Sequence, residues 1–143
     1  MHRKVAAAII AALALAVASC GGSETTNLER PELIRRVELA CRDAGRASER
    51  QSRADSSNPY EAMRAGQKIL VARLERLDGS GDTKDAFNAY KDGVRARLDA
   101  LEKVASAPRS EQPRVLRSVQ KDAVVAGRKI GAAVDRLGLK GCG

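Results

Sequence analysis

The stretch from Leu116 to Cys142, LRSVQKDAVVAGRKIGAAVDRLGLKGC, contains the pattern that decides the fold. Its apolar residues recur at alternating intervals of three and four, which places them on one face of a helix: Leu116, Val119, Ala123, Ala126, Ile130, Ala133 and Leu137. Gly138 follows as a residue suited to end a helix, and Leu139 is placed to fold back onto it. The stretch therefore predicts a long amphipathic helix followed by a short tail that contains Cys142.

Three earlier segments show the same helical period and are separated by turn residues. The first begins near Pro31, the second follows Asn58-Pro59, and the third begins at Asp82, whose charge favours a helix start. Their apolar faces are Leu33, Val37, Ala40, Ala44 and Ala47; Tyr60, Met63, Leu70, Leu74 and Leu77; and Phe87, Tyr90, Val94, Leu98, Leu101 and Val104. Because no segment alternates with a period of two, we expect no strands. The sequence predicts an all-α domain over residues 31–143, folded as an up-down-up-down four-helix bundle.

The first twenty residues have the organisation of an export signal. A positive start, Met1-His2-Arg3-Lys4, precedes an apolar run that is too short to cross a bilayer comfortably. The boundary Val17-Ala18-Ser19-Cys20 resembles a bacterial lipobox, and this resemblance implies cleavage before Cys20 and diacylglycerol on its thiol. We therefore expect a lipoprotein signal peptide over 1–19 and a flexible membrane tether over 20–30. The alternative is an ordinary secreted protein in which the cysteine falls there by chance.

Two cysteines remain once Cys20 is set aside, and they lie far apart in the sequence. Export would place Cys41 and Cys142 in an oxidising compartment, where such pairs tend to close. A bridge between them would require the end of the fourth helix to lie near Cys41. Either the first turns of helix one project past the bundle, or the tail from Leu139 to Cys142 doubles back. The alternative is two buried thiols that are not bonded.

Positive charge is concentrated on the first and fourth helices. The formal net charge of +8 falls to +6 without Arg3 and Lys4. One line of cations lies opposite each apolar face: Arg35, Arg42, Arg46 and Arg53 on the first helix, and Arg114, Arg117, Lys121 and Arg128 on the fourth. They predict a basic face that binds anionic lipid or a cell-wall polymer. The alternative is a solvated outer face, because acidic residues interrupt the first line.

Several chemistries are disfavoured by what the sequence lacks. The only histidine, His2, lies in the signal, so a Ser-His-Asp or Cys-His site and a histidine metal site are not expected. We predict no catalytic residue, no metal and no cofactor. Nucleic acid is disfavoured as a partner by export and by the near absence of aromatic residues for base stacking. Gly127 and Gly131 form a G-x-x-x-G pattern, which we interpret as close packing within the domain.

The cysteine spacing supports a resemblance at the level of a family. The lipobox ending in Cys20, the segment Glu38 to Ala44 around Cys41, and the tail Leu137 to Cys142 resemble small uncharacterised actinobacterial lipoproteins with a two-cysteine helical domain. The resemblance implies a lipid on Cys20 and a Cys41–Cys142 pair, and it implies no activity.

Three functions follow from these features as hypotheses. The first is a non-enzymatic binding or structural module, anchored outside the cell membrane and contacting an envelope protein. The second is an electrostatic binder of anionic lipid or wall polymer through the basic helix 1 and helix 4 face. The third is a binder of a small ligand in the core, which ranks last because Ala and Gly side chains favour tight packing.

Overall fold

A computed structural model of the chain describes residues 26–142. The elements in chain order are β1 (Thr26–Leu28), α1 (Arg30–Ala54), α2 (Pro59–Leu74), β2 (Leu77–Gly79), a 3-10 turn (Gly81–Thr83), α3 (Lys84–Ala105) and α4 (Gln112–Leu137). Four helices contain most of these residues, which confirms the predicted all-α class. The predicted signal peptide, the boundary that resembles a lipobox, and Cys20 lie outside the described residues.

A short parallel strand pair was not expected from the sequence. Strand β1 pairs with β2 in the register Thr26 to Leu77 and Leu28 to Gly79, and the Ser80 N–H donates to the Leu28 carbonyl at 3.2 Å. The expectation of no strands is therefore wrong, and residues 26–30, assigned to the tether, belong to ordered elements. The reason is length, because three-residue strands are too short to show alternation.

The helix ends follow the local signals with one exception. Asn58 caps α2 by accepting a hydrogen bond from the Glu61 N–H at 3.3 Å. Gly138 ends α4 with a φ of 74°, and the Leu139 N–H donates to the Val134 carbonyl at 3.1 Å. Asp82 does not start α3. It lies in the 3-10 turn and forms an ion pair with Arg30 at 2.8 Å.

The core confirms most of the predicted apolar faces. All five predicted positions on α1 are buried, and on α3 only Leu98 is half-buried. Leu77 is buried as predicted, but it belongs to β2 and not to α2, because α2 ends at Leu74. Two predicted core residues are wrong: Met63 is 50% exposed and Leu116 is 39% exposed. Both lie close to the N-terminal ends of their helices.

Each helix packs mainly on its neighbour in sequence. Helix α1 packs on α2, α2 on α3, and α3 on α4. An up-down-up-down bundle would also place α4 beside α1, but this is not one of the main contacts, and the tail after α4 makes the connection instead. One connected core joins the strand pair, α1, α2, α3 and the end of α4, and it includes Leu28, Val37, Leu74, Phe87 and Ile130.

The close approach of two helices occurs at glycines other than the predicted pair. A Cβ atom on Gly93 of α3 would lie 2.8 Å from Ile130 Cγ1 and 3.3 Å from the Ala126 carbonyl oxygen of α4. Around Gly127 and Gly131, a Cβ atom would meet nothing within 4 Å. The interpretation of the G-x-x-x-G pattern as close packing is therefore wrong, because its glycines lie away from the α3–α4 contact.

This difference predicts opposite effects for the same substitution on two helices. Gly93→Ala is expected to lower the free energy of unfolding by about 1–3 kcal/mol, since α3 and α4 must separate to admit the methyl group. Gly127→Ala is expected to raise it by up to about 1 kcal/mol, because alanine loses less conformational entropy in a helix. Urea unfolding followed by circular dichroism measures both. Equal effects of the two substitutions would contradict the proposed α3–α4 contact.

Candidate functional site

Cys41 and Cys142 lie at disulfide distance, with their Cα atoms 5.6 Å apart and a sequence separation of 101 positions. Cys41 is half-buried on α1, and Cys142 is buried in the core. The sequence predicts this pair although it leaves the route of the chain open. The structure confirms that the two cysteines meet. A bond here would close most of the described chain into one loop.

The tail between α4 and Cys142 doubles back along α1. The Arg30 guanidinium at the start of α1 donates to the carbonyls of Arg136 and Leu137, both at 3.4 Å. About two turns further along α1, the Glu38 carboxylate accepts from the Lys140 N–H at 2.9 Å. Leu139 is buried between these contacts. Of the two routes that the sequence left open, the structure shows the tail that doubles back.

Tyr90 of α3 stands behind the cysteine pair and closes it from the core side. Its hydroxyl lies 3.4 Å from Cys41 Sγ and donates to the Cys142 carbonyl at 3.4 Å. Burial raises the pKa of Tyr90 to about 12, although the charge of Arg97 acts in the opposite direction. The hydroxyl therefore stays protonated and remains a hydrogen-bond donor to the tail over the ordinary pH range.

The basic line on α1 is largely neutralised by acidic residues of the same helix. Three of its four arginines form ion pairs: Arg35 with Glu32 at 2.7 Å, Arg46 with Asp43 at 3.6 Å, and Arg53 with Glu49 at 3.9 Å. Hydrogen bonds from Arg35 and Arg36 lower the pKa of Glu32 to about 2, so this carboxylate keeps its charge in mild acid. Of the predicted residues on α1, only Arg42 is without an ion pair to any residue from 26 to 142.

The basic line on α4 keeps most of its charge. Arg114 pairs with Glu111 at 2.6 Å, whereas Arg117, Lys121 and Arg128 are exposed and pair with no carboxylate among the described residues. Val124 and Val125 lie among these cations and are 47% and 45% exposed. The sequence already shows acidic residues interrupting the line on α1, and the structure leaves α4 as the more strongly basic surface.

Two further features of residues 26–142 concern metals and membrane spans. No group of three or more histidine, cysteine, aspartate or glutamate side chains in this range is arranged to hold a metal ion. None of the helices described there combines the length and the apolar character that a membrane crossing requires.

Comparison with known proteins gives no match to a family model, to a curated protein or to a solved structure.

Proposed function

We propose that the chain is an exported lipoprotein, anchored to the outer side of the cell membrane through lipid on Cys20. In this proposal its helical domain is a non-enzymatic binding or structural module of the cell envelope. The observation that supports export is the meeting of Cys41 with Cys142, because disulfides persist in oxidising compartments outside the cytoplasm. The positive start, the apolar run and the lipobox at Cys20 support the anchor.

We further propose the up-down-up-down order for the four helices. Short connections favour antiparallel neighbours, and the contacts of α1 with α2, α2 with α3, and α3 with α4 fit that order. The tail then gives the last helix a contact with the first. A domain held in this way would be rigid, and rigidity suits a module that presents a fixed surface close to a membrane.

The intact mass of the protein from the membrane fraction tests export and anchoring together. We expect a mass that begins at Cys20, is increased by lipid, and shows two alkylated cysteines only after reduction. Cys20→Ala should move the protein out of the membrane fraction, and Ser23→Ala is the control that should leave it there. A mass that retains Met1, or two reactive thiols without reduction, would overturn the proposal.

Crosslinking in intact cells, followed by purification of the chain, tests the role as a binding module. We expect one dominant envelope partner, which should also be recovered with a variant that lacks the basic residues of α4. Recovery of abundant background proteins alone would count against a specific protein partner.

A second candidate function is binding to an anionic surface through α4. The observation that favours it is the row Arg117, Lys121 and Arg128, which is exposed and has no carboxylate partner among residues 26–142, with Val124 and Val125 beside it. Each cation near an anionic lipid surface contributes about 1 kcal/mol. Exposed valines among such cations can enter the boundary between headgroups and acyl chains.

Two triple variants separate this function from a general effect of charge. In residues 21–143 without lipid, Arg117→Gln, Lys121→Gln and Arg128→Gln together should weaken binding to phosphatidylserine vesicles by about 100-fold at low salt. The same number of charges removed from α1, with Arg35→Gln, Arg46→Gln and Arg53→Gln, should weaken it by less than tenfold, because those arginines are already paired. Binding by the original chain should also fall steeply with salt. Equal losses in the two variants would contradict a site on α4.

A further inference from the structure

A cleft of about 270 Å³ opens beside the cysteine pair, between α1, α2, α3 and the tail. Its walls combine apolar and polar groups. The apolar part comes from Leu70, Met63 and the sulfur atoms of Cys41 and Cys142, and the polar part includes Gln67 and Arg97. Met63 is 50% exposed here, although its position in the sequence predicted a core residue. Its exposure is explained by its place at the rim of this cleft.

Arg97 is the only charged residue that lines the cleft. It is half-buried, and its guanidinium forms no ion pair or hydrogen bond with any residue from 26 to 142. Arg95, two residues away on the same helix, pairs with both Glu75 and Asp92. A partly desolvated guanidinium without a carboxylate favours an anion from outside, and its planar shape matches a carboxylate.

Gln67 gives the cleft a second unsatisfied group. Its side-chain oxygen Oε1 is buried and has no hydrogen-bond partner among the described residues. Buried acceptors without a donor are rare in folded proteins and lower stability. Turning of the Gln67 amide would bring this oxygen to an N–H or O–H group of a molecule that enters the cleft, which Gln67 lines.

The cleft continues along α1 and α2 into a second, more open one. The second has a volume of about 520 Å³ and shares Gly45, Ser48 and Met63 with the first. A Cβ atom on Gly45 would meet nothing within 4 Å, so this glycine leaves open space where the two clefts join. A ligand whose anionic end lies at Arg97 therefore has room to extend along the groove between α1 and α2.

We propose that this cleft binds an α-carboxylate with a neighbouring N–H group, with Arg97 holding the carboxylate and the Gln67 amide turning so that Oε1 accepts from the N–H. Two sources have this chemistry: the free carboxyl end of a peptide and a single acylated amino acid. The apolar wall of Leu70 and Met63 would contact the side chain of the terminal residue. The proposal goes beyond the envelope function, and it requires neither the anchor on Cys20 nor the basic residues of α4.

Retention of peptide pools on the full chain tests the site. The chain, purified in detergent and immobilised, is exposed to N-acetylated pentapeptides with randomised positions, made once with a free carboxyl end and once with a carboxamide end. We expect the free acids to be retained at least tenfold more than the amides. A pool of single N-acetyl amino acids, run beside them, distinguishes the two sources. If the chain retains this pool, the site binds small carboxylates; if the chain does not retain it, the site binds peptide ends.

Three variants show whether retention occurs in this cleft. Arg97→Gln should abolish the preference for free acids. Gly45→Leu should reduce retention at least tenfold by filling the open space at the junction, and Gly131→Leu is its matched control, because Gly131 is also open but lies on α4. Equal retention of acids and amides by the original chain would overturn the proposal, as would an unchanged preference in Arg97→Gln. Circular dichroism of each variant confirms that the chain is folded.

Discussion

Replacing Cys41 or Cys142 by serine is expected to lower the free energy of unfolding by about 4–5 kcal/mol. The two cysteines are separated by 101 residues, so a bond between them restricts the unfolded chain over nearly the whole domain. In addition, Cys142 is buried beside Val37 and Tyr90, where a serine hydroxyl would be harder to accommodate. Since small domains are commonly stable by 5–15 kcal/mol, either substitution would remove a large part of the total.

The double variant Cys41→Ser, Cys142→Ser distinguishes a bond from two independent side chains. If the cysteines are bonded, the free energy of unfolding of the double variant should be no lower than that of the less stable single variant, because one bond can be lost only once. Reduction of the original chain should give a similar loss in urea unfolding. Cys20→Ser is the matched control and should leave the unfolding of the helical domain unchanged. Additive losses in the double variant would show that the two thiols act separately.

The helical part of the fold was predictable because its signals are local and repeated. The apolar spacing on α1 identified five buried residues, and Gly138 marked the end of α4 by its left-handed conformation. The meeting of Cys41 with Cys142 was also predictable, because only two cysteines remained once Cys20 was assigned to the lipobox. The helix end and the cysteine pair each depend on one or two residues, whereas the buried face of α1 depends on the spacing of five.

Features that depend on partners distant in sequence were not predictable in the same way. Strand β1 has only three residues, and β2 follows it after two helices, so neither could be recognised alone. The candidate cleft brings Gln67 of α2 and Arg97 of α3 to the tail at Cys142, and these positions share no sequence pattern. The nearest sequence signal is Gly45, a glycine inside α1. A Cβ atom added at this position would meet nothing within 4 Å.

The only phenylalanine in the chain should contribute more to stability than any other single side chain of α3. Phe87 is 0% exposed and belongs to the core that joins the helices to the strand pair. The Lys91 ammonium lies 4.9 Å from its ring centroid and also pairs with Asp78 of β2 at 3.8 Å, so the ring supports a contact between α3 and β2. Phe87→Ala would leave a cavity at this junction.

We therefore expect Phe87→Ala to lower the free energy of unfolding by about 3–5 kcal/mol, and Phe87→Leu by only about 1–2 kcal/mol, because leucine refills most of the volume. Val124→Ala is a suitable control: Val124 is 47% exposed on α4, and its truncation should change stability by less than about 0.5 kcal/mol. Urea unfolding of the three variants measures the series. Truncating a side chain that fills a packed junction must leave either a cavity or a collapsed neighbour. If Phe87→Ala therefore lowers the free energy of unfolding no more than Val124→Ala does, the α3–β2 junction is not part of the stable core.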